Sequence, residues 1–556
     1  MPGGHISLRL IPVPGLPTAA QRAYYVGDAS VYLFGKNGEA PNDSILYKNL
    51  NIHYYDKLRV RPNMLYRWMN YQQFVRSKQM RASNRTRLYS QYRQEQVQEK
   101  LSQLGIFSYL DMQYAPRDTT AACDTLDVTM QATFAKPLDA ELELNVVTKS
   151  NDQTGPGASF GVTRNNVFGG GESWNVKLKG SYEWQTGGGE KSSLMNSWEM
   201  GLSTSLTFPR VVFPHLGKRE FDFPATTTFR LYINQLNRAK YYKLLSFGGN
   251  ATYDFQPSRT SRHSITPFKL TFNVLQHQSE DFKEIAEANP ALYVSLRNQF
   301  IPAMEYTYTY DNASGRRIKN PIWWQSTVTS AGNITSLIYR AFGKPFNEED
   351  KSLLGAPFAQ FVKLNTELRH LWNIDKNNAI ASRMAVGALF TYGNATIAPY
   401  SEQFYVGGAN SIRAFTVRSV GPGGYHPEEG KYSYLDQTGT FRFEANVEYR
   451  FRIFKSFWGA TFLDAGNVWL LRKDRKLLAD GKEARPNSQL RLKTFPKQIA
   501  LGTGVGIRYD MDILVFRLDF GIPLHLPYDT DRSGYYNVTG AFFKNLGIHF
   551  AIGYPF

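Results

Sequence analysis

Arg413 lies among apolar residues in a stretch rich in glycine and proline, residues 407–425. An arginine can bind a carboxylate through two parallel hydrogen bonds, and in a confined interior such a pair can hold a loop in place. Two carboxylates farther along the chain suit this role, Glu448 and Asp464. The simpler alternative is an arginine that is solvated on an exposed loop. The motif around the arginine consists of Ile412, Arg413, Ala414 and Phe415.

Two glycine-rich motifs and the histidines could indicate an enzyme, but none has the surroundings that catalysis needs. The G-x-S-x-G sequence at 157–161 opens a polar alternating strand, whereas a nucleophile elbow lies between a buried strand and a helix. No helical pattern follows the G-x-G-x-G sequence at 502–506, as a dinucleotide loop requires. The nine histidines never pair at metal-ligand spacing, and the one cysteine, Cys123, excludes a multi-cysteine site. We therefore expect no catalytic residues, no cofactor and no metal.

The composition favours strands over helices. The 556 residues are 42% hydrophobic and 14% aromatic, but no apolar run is long enough for a transmembrane helix, which excludes a helical membrane protein. Many aromatic residues beside 45 glycines are typical of strands, turns and aromatic girdles. The net charge of +17 comes from basic residues that are scattered singly along the chain. This distribution favours basic side chains that bind acidic lipid headgroups or are simply solvated. We expect no binding to nucleic acid.

The first part of the chain mixes strand and helix patterns. One helix is expected to begin at Pro62, and a second covers about 89–104 and ends at Gly105. Strands are expected at 24–34, 45–50, 53–58, 107–114 and 126–134. This order predicts a small α+β domain over residues 23–136.

After Pro137 the apolar residues recur at every second position until the end of the chain. In residues 441–453 the odd positions are apolar and the even positions are polar or charged. A soluble sandwich could also alternate, but large aromatics on one face and charges on the other, strand after strand, are typical of an outer-membrane barrel. The 418 residues from 139 to 556 accommodate roughly 16 strands at about 26 residues each. We predict a membrane β-barrel of about 16 antiparallel strands, preceded by the α+β domain.

At the arginine motif the sequence resembles the BamA/TamA-like outer-membrane protein insertases, a family with periplasmic POTRA domains and a surface-antigen-type β-barrel. The family's loop motif reads Val/Ile-Arg-Gly-Phe, and residues 412–415 match it except that Ala414 replaces the glycine, which bears on the geometry of the loop tip. The resemblance implies that Arg413 binds Asp464, on an aromatic-x-Asp-x-Gly strand, and Glu448 on the strand before it.

The resemblance covers most of the chain. It continues through G-x-G-x-R at 504–508 and R-x-D-x-G-x-P at 517–523, and residues 547–556 are similar to the C-terminal β-signal of outer-membrane barrels. Residues 23–136 resemble a POTRA domain with an extra strand pair after its first strand. Residues 1–22 lack a secretory signal, so we expect a mature or truncated chain in which they end a preceding POTRA domain.

The resemblance implies a non-enzymatic protein that assembles and inserts β-barrel proteins into the bacterial outer membrane, with its POTRA-like domain in the periplasm. Its expected partners are unfolded β-barrel clients, periplasmic or outer-membrane accessory proteins, and membrane lipids including lipopolysaccharide. No nucleotide or other cofactor is implied.

The seam between the first and last strands is the one place where a barrel has an edge. Gly553 and Pro555 weaken the last strand, because proline cannot donate to a strand ladder. We expect the seam to open towards lipid, so that client strands add to its edge by backbone hydrogen bonds. The predicted seam residues are Ala140, Leu142, Leu144, Val146, Ile548, Phe550, Ile552, Gly553, Pro555 and Phe556.

Three other functions stay open from the sequence. A two-partner secretion transporter shares the motifs, although such proteins are expected to carry a plug helix and two POTRA domains. TamA-like translocation of lipids or autotransporters has the same motifs as barrel insertion. A passive porin would share the alternation but needs neither the arginine loop nor the N-terminal domain.

Overall fold

The computed structural model describes residues 22–48, 50–70, 88–118, 123–148, 153–185, 197–212, 225–238, 242–280, 283, 298–313, 318–343, 345, 352–353, 356–393, 398–427, 437–473, 483, 485–511 and 515–556. Residues 1–21, expected to end a preceding domain, lie outside this set. In the described part of the chain, no helix is long and apolar enough to cross a membrane. The chain divides into two compact units, which comprise Met1–Ala140, Val162–Asn175 and Leu206–Glu220, and Glu141–Gly161, Val176–Ser205 and Phe221–Phe556.

The N-terminal unit is built on a five-stranded sheet and two helices. Its elements are β1 (Tyr25–Phe34), β2 (Asp43–Tyr47), β3 (Leu50–Tyr54), α1 (Pro62–Asn70), α2 (Gln91–Gln103), β4 (Phe107–Pro116) and β5 (Thr125–Phe134). The strand order is β2-β3-β1-β5-β4, with β1 parallel to both of its neighbours. The antiparallel strands β2 and β4 form the two edges.

Alternating residues of the sheet and one stripe of each helix enclose the apolar core of this unit. Leu33 of β1, Met130 of β5, Leu65 of α1 and Leu101 of α2 are fully buried in it. The small α+β domain expected from the sequence is present. One strand of the extra pair was misplaced: β3 begins at Leu50 rather than at His53.

The reason is a tight turn between β2 and β3. Lys48 has a φ of 57° there, a conformation typical of turns, so the chain reverses earlier than the apolar pattern indicates. The following residues then pair at once, with Tyr47 opposite Leu50.

The C-terminal unit contains a sheet of 16 antiparallel strands. They are β6 (Leu138–Thr148), β7 (Gln153–Asn165), β8 (Ser173–Gln185), β9 (Ser197–Phe208), β10 (Ala225–Arg238), β11 (Tyr242–Phe255), β12 (Ser261–Gln278), β13 (Gln299–Asp311), β14 (Ile322–Ala331), β17 (Phe361–Asn373), β18 (Asn378–Thr391), β19 (Phe441–Phe454), β20 (Phe457–Trp469), β21 (Ala500–Asp510), β22 (Val515–His525) and β23 (Gly547–Ile552). Each strand neighbours the next of this series, and β6 and β23 begin and end it. The predicted membrane β-barrel of about 16 strands is confirmed.

Two smaller elements lie in the connection between β14 and β17. Helix α3 (Asn333–Ala341) follows β14 directly, and a hairpin of β15 (Ser352–Leu353) and β16 (Ala356–Pro357) precedes β17. From the sequence, only strands are expected in this part of the chain, and the helix differs from that expectation.

Period-two alternation separates the two faces of the barrel wall. In β19 the charged side chains of Glu444 and Glu448 are 1% and 0% exposed, whereas Val447 and Ile453 are 47% and 53% exposed. The exposed apolar side faces outward, where a bilayer solvates it, and the polar side faces the barrel interior, here called the lumen.

Candidate functional site

The connection between β18 and β19 carries the arginine motif, and its tip is buried against inward-facing side chains of the barrel. The tip is a tight turn, in which the Phe415 N–H donates to the Ile412 carbonyl at 3.1 Å. The Gly408 N–H donates to the Phe415 carbonyl at 2.8 Å and closes the base of the turn. The motif residues are at most 8% exposed: Ile412, Arg413, Ala414 and Phe415.

Arg413 forms hydrogen bonds with two carboxylates, and a third, that of Asp519, lies 3.9 Å from its Nη1. Its guanidinium donates to Asp464 twice, from Nε to Oδ2 at 2.8 Å and from Nη2 to Oδ1 at 2.9 Å. Its Nη1 forms an ion pair with Glu448 Oε2, and its backbone N–H adds a bond to Asp464 at 3.0 Å. The guanidinium also lies 3.5 Å from the ring centre of Phe462. The structure thus brings together the three charged residues that the sequence analysis grouped.

The register of β19 and β20 puts both carboxylates on the lumen side. Asn446 pairs with Asp464, and Glu448 pairs with Phe462. The two acids therefore lie on the inward face of adjacent strands, offset by two residues. The Asn446 side chain donates to Asp464 Oδ1 at 2.9 Å and to the Ser411 carbonyl at 2.8 Å. This amide therefore ties the loop backbone to the same carboxylate that binds the arginine.

The next strands extend the cluster with residues to which the sequence analysis gave no role. Arg508 of β21 contacts Glu448 at 3.0 Å and Asp519 of β22 at 2.5 Å. Arg450 of β19 donates to Glu448 at 2.7 Å. Arg517 of β22 donates to Asn410 of the loop at 2.6 Å. In the sequence, the one feature that could have indicated a role for these residues is that all of them lie on the polar face of alternating strands.

A second set of contacts holds the base of the loop. Ser411 Oγ donates to Glu444 at 2.6 Å, and Arg383 of β18 binds the same carboxylate at 3.2 Å. Arg383 also contacts Glu367 of β17 at 3.0 Å. Strands from β17 to β22 therefore all contribute to one polar network around the loop.

Ala414 fits the tip because its neighbours are glycines. Its backbone is not among the described positions with positive φ, so alanine meets no conformational penalty there. A Cβ added to Gly502 would collide with the Ala414 side chain, and one added to Gly521 would lie 2.6 Å from the Arg413 carbonyl oxygen. The glycines of β21 and β22 leave room for the alanine side chain, so the turn at the tip is kept.

The loop arginine stays charged inside the barrel. Burial opposes its charge, but Asp464, Glu448 and Asp519 outweigh burial and raise the pKa of Arg413 above its ordinary value. Losing one partner of such a buried pair leaves an uncompensated charge, which typically costs about 3–5 kcal/mol. Among the described residues, no group of three histidines, cysteines or acids could hold a metal ion.

The predicted seam residues lie on β6, on β23 and in the last residues of the chain, and they differ in exposure. Leu142 and Leu144 of β6 are 67% and 75% exposed, and Ile548 and Phe550 of β23 are 60% and 57% exposed. The backbone of Val146 lies in β6 and that of Ile552 ends β23, while Ala140 is exposed near the start of β6. Pro555 is buried, and Phe556 is half-buried.

The last four residues do not continue β23, although the sequence predicted strand to the C-terminus. Gly553 has a φ of 84°, which turns the chain, and its N–H donates to the Val515 carbonyl at 2.7 Å. Beyond the turn, the Tyr554 ring centre lies 4.2 Å from the Arg450 guanidinium. Pro555 has no N–H with which to extend the ladder.

Most of the barrel and the whole arginine loop match a known protein family. The Omp85 superfamily domain matches residues 166–556. Among solved structures, BamA from Haemophilus ducreyi lacking POTRA domains 1-3 is similar, with a TM-score of 0.55 at 12% identity over 92% of this chain and 88% of that chain. CdiB from Acinetobacter baumannii matches with a TM-score of 0.42 at 11% identity, over 79% and 66% of the two chains. CdiB from Escherichia coli matches with a TM-score of 0.42 at 11% identity, over 98% and 92%.

Proposed function

The chain belongs to the Omp85 superfamily, and we propose that it inserts β-barrel proteins into the outer membrane by opening between its first and last barrel strands. Membership supports the coarser statement that this is an outer-membrane β-barrel protein of the insertase or transporter type. The finer proposal depends on the short last strand, which limits the pairing that can close the barrel.

Strand β23 has six residues, whereas the other 15 strands of the sheet have 10 to 18. It pairs with β22 over Gly547 to Ile552 and then leaves the sheet at Gly553. A ladder between β23 and the 11-residue β6 is therefore limited to about half the length of β6. A short ladder has few hydrogen bonds to break, so this junction is the cheapest to open.

An opened seam offers β6 as a template for a new strand. Backbone N–H and C=O groups of an unpaired strand bind any extended chain, independent of its side chains. In hydrocarbon these groups cannot bind water, so pairing with a client strand is strongly favoured. The energy for insertion then comes from hydrogen bonds and apolar burial, and no nucleotide is needed.

The loop network gives the opening barrel a rigid wall. Arg413, Glu448 and Asp464 join the loop to β19 and β20, and Arg508 and Asp519 extend this network to β21 and β22. We infer that these strands stay together as a body while β23 releases its outer partner.

The N-terminal domain, proposed to lie in the periplasm, offers a first contact for unfolded clients or accessory proteins. Strand β2 is an edge of its sheet, and Ile45 and Leu46 on it are 41% and 68% exposed. An exposed edge with apolar side chains suits β-augmentation by an extended chain.

Insertion by the purified protein in liposomes tests the proposal. Unfolded barrel client should acquire its folded, protease-resistant form faster with the protein than in empty liposomes. A photo-crosslinking residue in place of Leu142 on β6 should capture the client during insertion. The same residue in place of Leu364 on β17, which also faces outward, is the matched control and should capture none. Client delivered into the vesicle interior instead of its wall would favour a transporter.

A further inference from the structure

Helix α3 turns its apolar side away from the protein. Ile334, Leu337 and Ile338 are 46%, 58% and 50% exposed, and Phe342 at its C-terminal cap is 84% exposed. The buried side carries Thr335 and Ser336, at 8% and 0% exposure. At about 100° per residue, the two sets lie on opposite sides of the helix. A helix on a water-facing protein surface has the reverse arrangement.

Contacts at both ends fix this orientation. Asn333 Nδ2 donates to Ser330 Oγ at 2.7 Å, and the Tyr339 ring packs edge-on against Phe358 at 6.0 Å between centroids. Gly332, with a φ of 70°, makes the sharp entry from β14. A Cβ on Gly332 would lie 2.5 Å from the Ala359 carbonyl oxygen, so strand end and returning loop are in close contact. The helix cannot turn over without breaking these contacts.

The exposed side of the helix continues the lipid-facing surface of the barrel. Trp324 and Val328 of β14 are 41% and 39% exposed, and Val328 pairs with Leu364 of β17, also 39% exposed. By the same alternation, Ser330 points outward, and it is the residue that binds the first residue of the helix. The first residue of α3 is therefore bound to a side chain on the outer face of β14.

We propose that α3 lies in the interfacial layer of the bilayer, with its apolar side among acyl chains. It follows the ninth barrel strand, so it lies at the end of the barrel opposite the start of β6. That end meets the outer leaflet when the N-terminal domain is periplasmic. Arg340 in the last turn is exposed beside the apolar side, where its cation reaches headgroup phosphates.

The proposal requires only that the barrel spans a membrane, and it does not depend on insertase function. Lipid is the occupant that the structure favours, because the patch joins the established lipid-facing surface at Ser330. The barrel thereby gains a lipid anchor that lies flat on the bilayer beside β14 and β17.

Fluorescence quenching in vesicles tests the lipid contact. Single cysteines replace Leu337, Arg340 or Leu368 in a Cys123→Ser background and carry an environment-sensitive dye. Phosphatidylcholine vesicles contain a spin label near the top of the acyl chain or near its end, and iodide is supplied on both sides. The dye at Leu337 should be quenched several-fold more by the shallow spin label than by iodide. Leu368, on the outer face of β17, should also respond to spin-labelled lipid, and Arg340 should respond to iodide.

Equal iodide quenching at Leu337 and Arg340, with no effect of spin-labelled lipid, would place the helix in water and overturn the proposal. Self-quenching between dyes at Leu337 that disappears when labelled protein is diluted with unlabelled protein would identify a second copy as the occupant, which also overturns it. Folding is checked by the mobility shift of the unheated barrel in gels. If Leu337→Cys fails that check, Ile338→Cys on the same side replaces it.

Discussion

Arg450 binds the last residue of the chain: its Nη2 donates to the carbonyl oxygen of Phe556 at 3.4 Å. The same guanidinium donates from Nε to Glu448 at 2.7 Å, and Glu448 is the carboxylate that pairs with Arg413. Glu448 and Arg450 thus link Phe556 to Arg413, the arginine that holds the loop in the lumen. Movement of the last strand and loosening of the loop are expected to be coupled through this contact.

Replacing Arg450 with glutamine should free the C-terminal residues while the loop stays anchored. Hydrogen bonds to charged groups contribute about 1.5–3 kcal/mol, which corresponds to release of Phe556 by carboxypeptidase at least about tenfold faster. Arg452→Gln is the matched control, because Arg452 on the same strand donates to the Lys455 carbonyl instead. Equal release rates in the two variants would show that Arg450 does not hold the C-terminus.

Arg413→Ala should destabilise the barrel by about 3–5 kcal/mol, because Asp464 and Glu448 would stay buried without their partner. Urea unfolding followed by tryptophan fluorescence measures the loss. Arg418→Ala in the same loop should change stability by only about 0.5 kcal/mol, since Arg418 is half-exposed and stacks on Tyr405. Arg413→Lys keeps the charge but loses the paired hydrogen bonds, so an intermediate value is expected. Equal unfolding of Arg413→Ala and Arg418→Ala would argue against the anchor.

Gly502→Ala should cost about 1–3 kcal/mol, because its new methyl group would collide with the Ala414 side chain. Ala414→Gly removes that side chain and should restore most of the loss when the two changes are combined. A double-mutant cycle of unfolding free energies measures this coupling. Additive effects would show that the two positions do not pack against each other.

Much of the barrel and the centre of the site could be predicted, because both follow from local pattern. Residues 441–453 alternate so regularly that the inward position of Glu448 is fixed by its even number. The apolar flanks of Arg413 left a solvated and a buried arginine open, and the resemblance to the insertase family favoured the buried one, paired with Asp464 and Glu448. The first inference needs only the period of one strand, and the second needs the motif around one residue.

The rest depends on register and on backbone turns, which a single sequence does not specify. Arg508 and Asp519 reach the site because β20, β21 and β22 pair with particular offsets, and a shift by one residue would turn both outward. The end of β23 is set by the φ of Gly553, whereas the apolar alternation continues to Phe556. Helix α3 was missed because only strands were assigned after Pro137, although Ile334, Leu337 and Ile338 recur at i, i+3 and i+4, which is typical of a helix.

Leu46→Lys should weaken capture of unfolded clients by the N-terminal domain, because a charge on the edge strand β2 opposes strand addition. Photo-crosslinking of an extended client peptide measures the loss. Tyr109→Lys is the matched control, since Tyr109 is 56% exposed on β4, which in the described part of the chain is the other edge of this sheet. Circular dichroism checks that both variants keep the fold. A client that binds both variants equally well would exclude β2 as the docking edge.

The central claim is that the seam opens, and a reversible lock tests it most directly. Phe550→Cys is combined in turn with Ala140→Cys, Leu142→Cys and Leu144→Cys in a Cys123→Ser background, and the pair that oxidises most completely is kept. The control is Val447→Cys with Leu463→Cys, two outward residues that pair between β19 and β20. Insertion of client barrels into liposomes is then timed for oxidised and reduced protein. We expect oxidation to stop insertion for the seam pair, reduction to restore it, and oxidation to leave the control pair active. If the oxidised seam pair inserts clients as fast as the reduced protein, the barrel does not work by opening between β6 and β23.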